Sequence, residues 1–158
     1  MEEVDQIKKK KLSHIDIIEV KDISKDVVLS LQKLLPQLTI NYKSFDQKDL
    51  EEILDSQCTR LFTAIDRNSD NQIVGSFSLV IFRIATGRMI RIEDVVVDES
   101  RRGEGIGRKM MEHALNLAKK TGNVKIELYS HPTRVAADEL YQSLDFKILK
   151  TNLYRYVG

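Results

Sequence analysis

The sequence has a single cysteine, Cys58, among its 158 residues. No disulfide can form within the chain, and so few cysteines are typical of proteins that work in a reducing compartment. We therefore expect a cytoplasmic protein. Cys58 has no histidine near it in sequence, which favours a passive or partly buried thiol over a reactive one.

An excess of charge of either sign is also missing. Lys and Arg number 25, Asp and Glu number 24, and the formal net charge is +1. This balance gives no reason to expect nucleic acid or an anionic membrane as a partner, so any anion binding must come from a local site. The basic run at residues 8–11 is flanked by acids, and we interpret residues 1–13 as a flexible N-terminal arm.

Long apolar runs are absent as well. The first residues are acidic without an apolar signal core, and no run approaches the roughly 20 apolar residues that span a bilayer. Cysteine, histidine and carboxylates do not occur with metal-ligand spacing, so no metal is expected. With 42% hydrophobic and 31% charged residues, the composition predicts one globular domain over residues 1–158.

Apolar periodicity predicts about seven strands and four helices. The predicted strands cover residues 15–20, 60–66, 73–84, 89–99, 124–130, 146–149 and 152–157. The predicted helices cover residues 24–38, 44–57, the stretch from the glycines to about 120, and 133–144. Hairpins come first and a strand–helix–strand–helix–strand block follows. This order favours an α/β (α+β) fold, a mixed sheet with helices on both faces.

Three glycines, Gly103, Gly105 and Gly107, alternate with other residues between a predicted strand and a helix. Glycine costs regular structure about 0.5–1 kcal/mol relative to alanine, so this placement needs a reason. A helix N-terminus has unpaired N–H groups and partial positive charge, and glycines let a phosphate approach the backbone. We predict a phosphate or pyrophosphate site here, and a tight turn is the alternative. Mobile positive charge around the site would come from Arg101, Arg102, Arg108 and Lys109.

Of three known phosphate-binding motifs, one fits this stretch. The dinucleotide fingerprint G-x-G-x-x-G fails because Met110 stands at its third glycine position, and the P-loop fails because the sequence has no Gly-Lys pair. Residues 102–107, RGEGIG, match the Gln/Arg-x-x-Gly-x-Gly/Ala loop of the GNAT superfamily of acetyl-CoA-dependent N-acetyltransferases.

A second segment strengthens this resemblance. Residues 133–146, TRVAADELYQSLDF, resemble the family's Ala-x-x-x-Tyr-x-x-x-Gly-Phe helix. Ala137, Tyr141 and Phe146 match, and Asp145 replaces the glycine. The resemblance implies a GNAT fold, with a mostly antiparallel sheet of about seven strands that splays between the fourth and fifth.

The resemblance also implies that acetyl-CoA is the co-substrate. Main-chain N–H groups of residues 103–108 would hold its pyrophosphate, and the backbone of Val95 and Val97 would pair with its pantetheine arm. The apolar side chains at these two positions are equally expected of a plain core strand. The residues implied in cofactor binding are Val95, Val96, Val97, Arg101, Arg102, Gly103, Glu104, Gly105, Ile106, Gly107, Arg108, Arg134, Ala137 and Tyr141.

Three residues are candidates for catalysis. In the family, the tyrosine at the position of Tyr141 protonates the departing thiolate; a core-filling aromatic is the alternative. Glu93 and Asp94 are adjacent acids in an apolar strand, and either is a candidate base for the incoming amine. Alternation along a strand predicts that they point to opposite faces, so at most one of them faces a given cleft. The alternative is that one faces solvent and the other pairs with Arg91 or Arg83.

Arg134 stands where many relatives have an asparagine. It is a candidate to contact a CoA phosphate or an acidic substrate, and an exposed charge is the alternative. His131 follows the fifth predicted strand and is a candidate acid or base. A loop histidine without a function is the favoured interpretation.

The resemblance implies an N-acetyltransferase that moves acetyl to a primary amine by direct attack. The acceptor would be a small amine or an amino-acid-like metabolite, and residues 92–97, IEDVVV, also resemble a strand of glucosamine-6-phosphate acetyltransferases. Many relatives are dimers, and the last predicted strand offers an edge for a homodimer. The alternative function is a non-catalytic CoA-binding or interaction domain of the same fold.

Overall fold

The computed structural model describes residues 12–39, 42–122 and 124–158. The predicted N-terminal arm lies outside these residues apart from Leu12 and Ser13. Leu12 packs against the hydrophobic core.

A mixed sheet of five strands, in the order β1-β2-β3-β4-β5, forms the centre of the described chain. The strands are β1 (Ile15–Glu19), β2 (Thr59–Asp66), β3 (Gln72–Ile84), β4 (Gly87–Val97) and β5 (Lys125–Leu128). The first four are antiparallel neighbours in chain order. β5 pairs parallel to β4, so the chain must cross over the sheet between them, and it does so through a helix.

Four α-helices accompany the sheet: α1 (Lys25–Leu34), α2 (Gln47–Asp55), α3 (Ile106–Lys120) and α4 (Val135–Gln142). The four predicted helices correspond to α1 to α4, with starts that differ by up to three residues. Ser24 is the N-cap residue of α1, and Asp46 begins α2 with a capping box, in which its side chain accepts from the amide of Asp49. Pro36 lies in a short 3₁₀ turn, Leu35–Gln37, that ends α1.

Each face of the sheet is covered by apolar side chains. On one face, α3 packs against the strands through Ile106, Met110, Met111 and Ala114, all buried with strand residues such as Phe62, Phe77 and Ile90. On the other face, α1 and α2 cover the β2 side of the sheet through Val27, Leu31 and Leu50, which pack with Leu61. The helices therefore lie on both faces, as predicted.

The prediction of about seven strands is not confirmed, since the described residues form five. The segments predicted as the last two strands, residues 146–149 and 152–157, are not strands. Apart from the half-buried Phe146, their apolar side chains are exposed, among them Ile148, Leu153, Tyr154 and Tyr156. Alternating apolar residues favour a strand only where a neighbouring strand supplies hydrogen bonds and a packing surface, and neither is present for these segments.

Gly75 lets α3 approach the sheet closely. A Cβ at this position would lie 2.8 Å from Sδ of Met110 and 3.0 Å from the carbonyl oxygen of Val96. Gly75→Ala should therefore lower the free energy of unfolding by about 1–3 kcal/mol, because the backbone atom cannot move aside. Urea denaturation measures this change.

The matched control is Gly107→Ala. Its Cβ would lie 3.4 Å from Cδ2 of Leu140, an ordinary contact, and Gly107 is inside α3, where alanine is favoured. This variant should be as stable as the wild type or more so. Equal stability of the Gly75→Ala variant and the wild type would show that the contact is not tight.

Candidate active site

The glycine loop ends at the N-terminus of α3. Gly103 and Gly105 have φ angles of +81° and +95°, a region that glycine adopts without strain. Gly105 is the N-cap residue of α3 and has no side chain to accept from the first turn. The amides of residues 106–108 therefore have no capping side chain, and the helix dipole adds positive charge at this point. This arrangement fits an anion such as a pyrophosphate.

The basic residues around the loop are mostly held by protein groups, so the expectation of four mobile charges is wrong. Lys109 donates through Nζ to the carbonyls of Leu12 (2.7 Å) and Ile15. Arg101 is bound by two carboxylates. The four charges therefore differ in how far they can reach toward a ligand.

The other two basic residues are more exposed. Nη2 of Arg108 donates to the hydroxyl of Ser143 at 2.6 Å. Nε of Arg102 donates to the carbonyl of Val97 at 3.3 Å. Arg102 is exposed on the loop and Arg108 is half-buried, so both remain accessible to an anion.

The end of β4 is anchored to α1. Asp98 is buried, and its carboxylate accepts from Nζ of Lys33 at 2.6 Å and from the amide and hydroxyl of Ser100. The Lys33 hydrogen bond, helped by those from Ser100, holds the pKa of Asp98 below its usual range. This pair fixes the strand end immediately before the loop. The Lys33–Asp98 pair was not predicted from the sequence, although an Asp-x-Ser turn after an apolar strand was a visible signal.

β4 continues beyond its pairing with β5. The parallel pairs run from Met89–Lys125 to Ile92–Leu128, whereas β4 extends to Val97. Within the described residues, the backbone of residues 93–97 therefore has no strand partner on the β5 side. Val95 and Val97 are half-buried and pack against the core on the α3 face of the sheet, whereas Val96 is buried and pairs with Ser76 of β3.

A β-bulge lies in this unpaired part of β4. Ser76 pairs with Val96 and Ser78 with Glu93, so two residues of β4, Asp94 and Val95, face the single Phe77 of β3. Asp94 has a φ of +52°, in the left-handed region that aspartate tolerates better than most residues.

The bulge overturns the expectation that Glu93 and Asp94 point to opposite faces. Glu93 lies beside Arg91, with Nε and Oε1 3.8 Å apart, on the face away from α3. Asp94 lines a cleft on that same face, together with Thr59 of β2. The extra residue of the bulge therefore brings both carboxylates to one side of the sheet.

The cleft has a volume of about 540 Å³. The cleft lies between β2, the bulge and the segment that joins α1 to α2. That segment supplies much of the lining of the cleft. The charged residues among those that line it are Lys43, Asp49, Glu52 and Asp94. Leu35, Leu38, Tyr42, Phe45 and Ile53 give it an apolar wall.

Both carboxylates of the bulge bind protons more tightly than usual. Burial raises the pKa of Asp94. Burial and the neighbouring Asp94 raise the pKa of Glu93, and Arg91 partly opposes them. Carboxylates with raised pKa values beside a cleft are typical of general bases.

Tyr141 lies on α4 close to the end of β4. The ring of Tyr141 makes an edge contact with Phe146, with centroids 6.1 Å apart. Gly107 of α3 faces both its neighbour Leu140 and the end of β4, because a Cβ at Gly107 would lie 3.4 Å from Leu140 and 3.7 Å from Val97. Helices α3 and α4 therefore meet at the unpaired part of β4. Burial raises the pKa of the Tyr141 phenol, so it stays protonated near neutral pH.

Other predicted residues lie further from the loop. Arg134 donates through Nη2 to the carbonyl of Leu38, at the rim of the cleft. Ala137 is half-buried in α4, next to this region. His131 interacts with the hydroxyl of Thr133 at 2.8 Å in the loop before α4. Cys58 is exposed, which rules out the partly buried thiol, one of the two expected alternatives.

Asp145 has a φ of +66°. The position therefore requires the left-handed conformation, and this explains why an aspartate can replace the glycine of the family pattern. Asp145 thus preserves the turn that follows α4.

The comparisons with known proteins agree with this geometry. The family model described as the acetyltransferase (GNAT) family matches residues 30–146. The chain belongs to the GNAT family of acetyltransferases. This GNAT chain is 28% identical over 114 residues to the glucosamine 6-phosphate N-acetyltransferase of Arabidopsis thaliana, covering 70% of this chain and 76% of that one.

Solved structures share the fold of this GNAT chain. An aminoglycoside acetyltransferase from an uncultured soil metagenomic sample, in complex with trehalose, superposes with a TM-score of 0.78 at 17% identity, covering 92% of this chain and 97% of that one. Glucosamine-6-phosphate N-acetyltransferase from Arabidopsis thaliana gives a TM-score of 0.74 at 23% identity, covering 91% and 99%. At these identities the likeness shows the fold alone.

Metal-binding clusters and membrane-spanning helices are both absent from the described residues. No group of three or more histidines, cysteines or carboxylates is arranged to hold a metal ion in residues 12–39, 42–122 and 124–158. Within the same ranges, the GNAT chain has no helix with the length and apolar character needed to cross a membrane.

Proposed function

We propose that this GNAT protein transfers the acetyl group of acetyl-CoA to a small primary amine by direct attack. The observation that carries the proposal is the loop at residues 103–107, where glycines with positive φ lead into an uncapped helix N-terminus. An anion can approach this backbone closely, and the loop lies directly beyond the unpaired end of β4.

Acetyl-CoA would supply an acetyl thioester that is activated toward amines. The amides of residues 106–108, with Arg102 and Arg108 beside them, would hold its pyrophosphate. The unpaired backbone of Val95 and Val97 offers amides and carbonyls in an extended arrangement, which suits a pantetheine arm that lies along β4 like an additional strand. A backbone amide at the same place would polarise the thioester carbonyl.

Asp94 is the candidate base for the acceptor. Its carboxylate faces the cleft, and its raised pKa suits it to take the proton of an ammonium group. The neutral amine then attacks the acetyl carbon, the new C–N bond forms and the C–S bond breaks. Glu93 lies on the same side and is the second candidate, although Arg91 competes for its carboxylate.

Tyr141 is the candidate acid. Its phenol is protonated at neutral pH, and its helix packs where α3 meets the end of β4. It would give its proton to the thiolate that leaves when the C–S bond breaks. The products would be an N-acetylated amine and CoA.

The charge of the cleft favours a cationic acceptor. Among the described residues, Asp49, Glu52 and Asp94 line it with the single cation Lys43, and Arg134 adds one cation at the rim. A phosphate in this space would face more carboxylates than cations. We therefore propose a small, unphosphorylated amine or amino-acid-like metabolite as the acceptor, unlike the substrate named for the Arabidopsis relative.

Calorimetric titration of the full chain with acetyl-CoA tests the donor assignment. We expect a dissociation constant in the micromolar range, about −8 kcal/mol. Release of CoA with a panel of amines then tests transfer, and glucosamine with glucosamine 6-phosphate forms a pair that differs only in the phosphate. Absence of binding at millimolar acetyl-CoA would refute the proposal that the protein is an acetyl-CoA-dependent enzyme. Binding without transfer to any amine would favour a non-catalytic CoA-binding domain.

Tyr141→Phe should lower kcat by about 100-fold, because only the proton donor is removed while the ring contact with Phe146 remains. The affinity for acetyl-CoA should stay within about twofold, since the phenol acts on the leaving group. The matched control is Tyr129→Phe, which removes a hydroxyl from a half-exposed tyrosine after β5. An unchanged kcat in the Tyr141 variant would remove this residue from the mechanism.

A further inference from the structure

Arg101 is one of the basic residues of the glycine loop, but its guanidinium is already occupied. Nη1 lies 2.9 Å from Oδ2 of Asp66. Nε and Nη2 donate to the two carboxylate oxygens of Glu104 at 2.8 and 3.0 Å. All three nitrogens therefore bind carboxylates, and the side chain is only 20% exposed. A phosphate would have to displace one of these partners to contact Arg101.

Asp66 makes this arrangement rigid. It is the last residue of β2, its side chain is 3% exposed, and it also accepts from the amide of Asn68 at 2.8 Å and the hydroxyl of Ser69 at 2.9 Å. Burial alone would raise the pKa of Asp66, but these hydrogen bonds and Arg101 together hold it below the usual range. Arg101 is thus tied to a fixed, ionised group of the sheet.

Glu104 is the partner that matters for the loop. It lies between Gly103 and Gly105, so its carboxylate is part of the glycine loop, the site proposed for the pyrophosphate. The bidentate bond to Arg101 neutralises this carboxylate and turns it toward the sheet. Without Arg101, a free negative charge would stand in the loop and repel a pyrophosphate.

We propose that Arg101 is a positioning residue for acetyl-CoA binding. The buried Asp66 anchors Arg101, and Arg101 in turn holds Glu104 and neutralises its charge. Arg101 itself makes no contact with the phosphates. This inference rests on the proposed function, because it concerns the site for acetyl-CoA. It separates Arg101 from Arg102 and Arg108, whose exposed guanidinium groups can reach an anion.

The test is a double-mutant cycle measured by calorimetric titration with acetyl-CoA. Arg101→Met should weaken binding by about 30-fold, because like charges then face each other in the loop. Glu104→Gln alone should stay within about threefold of the wild type, and the double variant R101M/E104Q should recover to about the same level. If Arg101 contacted the phosphates directly, a substitution of Glu104 could not restore the affinity for acetyl-CoA.

Arg101→Met leaves the buried carboxylate of Asp66 without its cation, and this can unfold the protein. The same cycle is therefore repeated with Asp66→Asn present in every variant, so that no buried charge is left unpaired. The matched control is Arg60→Met, which removes an equally bidentate pair with Glu19, 2.7 Å in both bonds, from the edge of the sheet. This control should not change the affinity.

The possible outcomes distinguish a failure of the proposed function from a failure of the role proposed for Arg101. A wild type that does not bind acetyl-CoA overturns the proposed function and this inference with it. A wild type that binds, with R101M/E104Q as weak as R101M, overturns the inference alone and assigns Arg101 a direct contact. Unchanged binding in R101M also overturns it. Recovery in R101M/E104Q supports it.

Discussion

Gly105→Asp should lower the affinity for acetyl-CoA by about 100-fold, which corresponds to about 3 kcal/mol. Gly105 caps α3 with a φ of +95°, and its missing side chain leaves the first amides of the helix open. Aspartate tolerates this conformation, so the backbone can keep its course while a carboxylate occupies the place proposed for the pyrophosphate. Calorimetric titration with acetyl-CoA measures the loss.

Two further variants separate charge from crowding and strain. Gly105→Asn has the same shape as Gly105→Asp without the charge, and we expect it to lose only about tenfold. Gly122→Asp makes the same change at a φ of +91°, past the other end of α3, where a Cβ would meet nothing within 4 Å. It should bind acetyl-CoA normally. Equal affinities of the wild type and the Gly105→Asp variant would show that the loop does not bind the cofactor.

Asp94→Asn should lower kcat/KM for the acceptor by about 100-fold, because the cleft loses the carboxylate that takes the proton of the amine. Asparagine is among the residues that adopt a positive φ most readily, so the bulge at φ +52° should persist. Stability should not fall, since burial disfavours the charge of Asp94 in the folded protein. Steady-state kinetics and thermal unfolding measure the two quantities.

The role of Asp94 as a base also predicts how the activity depends on pH. A base works only when it is ionised, so activity should fall as the pH drops through the pKa of Asp94. Because burial raises that pKa, the fall should lie above the pH of about 3.9 expected of an ordinary aspartate. Asp94→Asn should remove this acid limb.

Two comparisons control the Asp94 experiment. Asp70→Asn makes the same chemical change at another positive φ, +49°, in the turn between β2 and β3, and should leave activity unchanged. Glu93→Gln should cost less than Asp94→Asn, because Arg91 shares the carboxylate of Glu93. A larger loss in the Glu93 variant would transfer the role of base to Glu93.

Much of the fold could be predicted from the sequence because its helices and first strands are strongly periodic. The capping residues Ser24 and Asp46 are local signals, and the glycine loop with its following helix is a continuous motif. The C-terminal strands could not be predicted reliably. Residues 146–149 and 152–157 have the composition of strands, but strand formation depends on a partner that the local sequence does not reveal.

The site could be predicted only in part, because some of its geometry depends on distant residues. The bulge adds one residue to β4, and a strict alternation rule then assigns Asp94 to the wrong face. Adjacent acids followed by three valines were a hint that the alternation fails. No local pattern reveals that Arg101 binds Asp66 at the end of β2 rather than a ligand.

The sheet order has a consequence for how the protein folds. β2, β3 and β4 are joined by short turns, so their pairings close short loops and can form early, whereas β1 and β2 are joined through α1 and α2. Among the described strands, β4 and β5 alone are joined by a crossover, and their pairing stops at Ile92 and Leu128. The site lies next to this short parallel pairing, which we expect to form late. We expect its amides to exchange with solvent through local opening before those of the β2–β3 hairpin, and bound acetyl-CoA to slow that exchange.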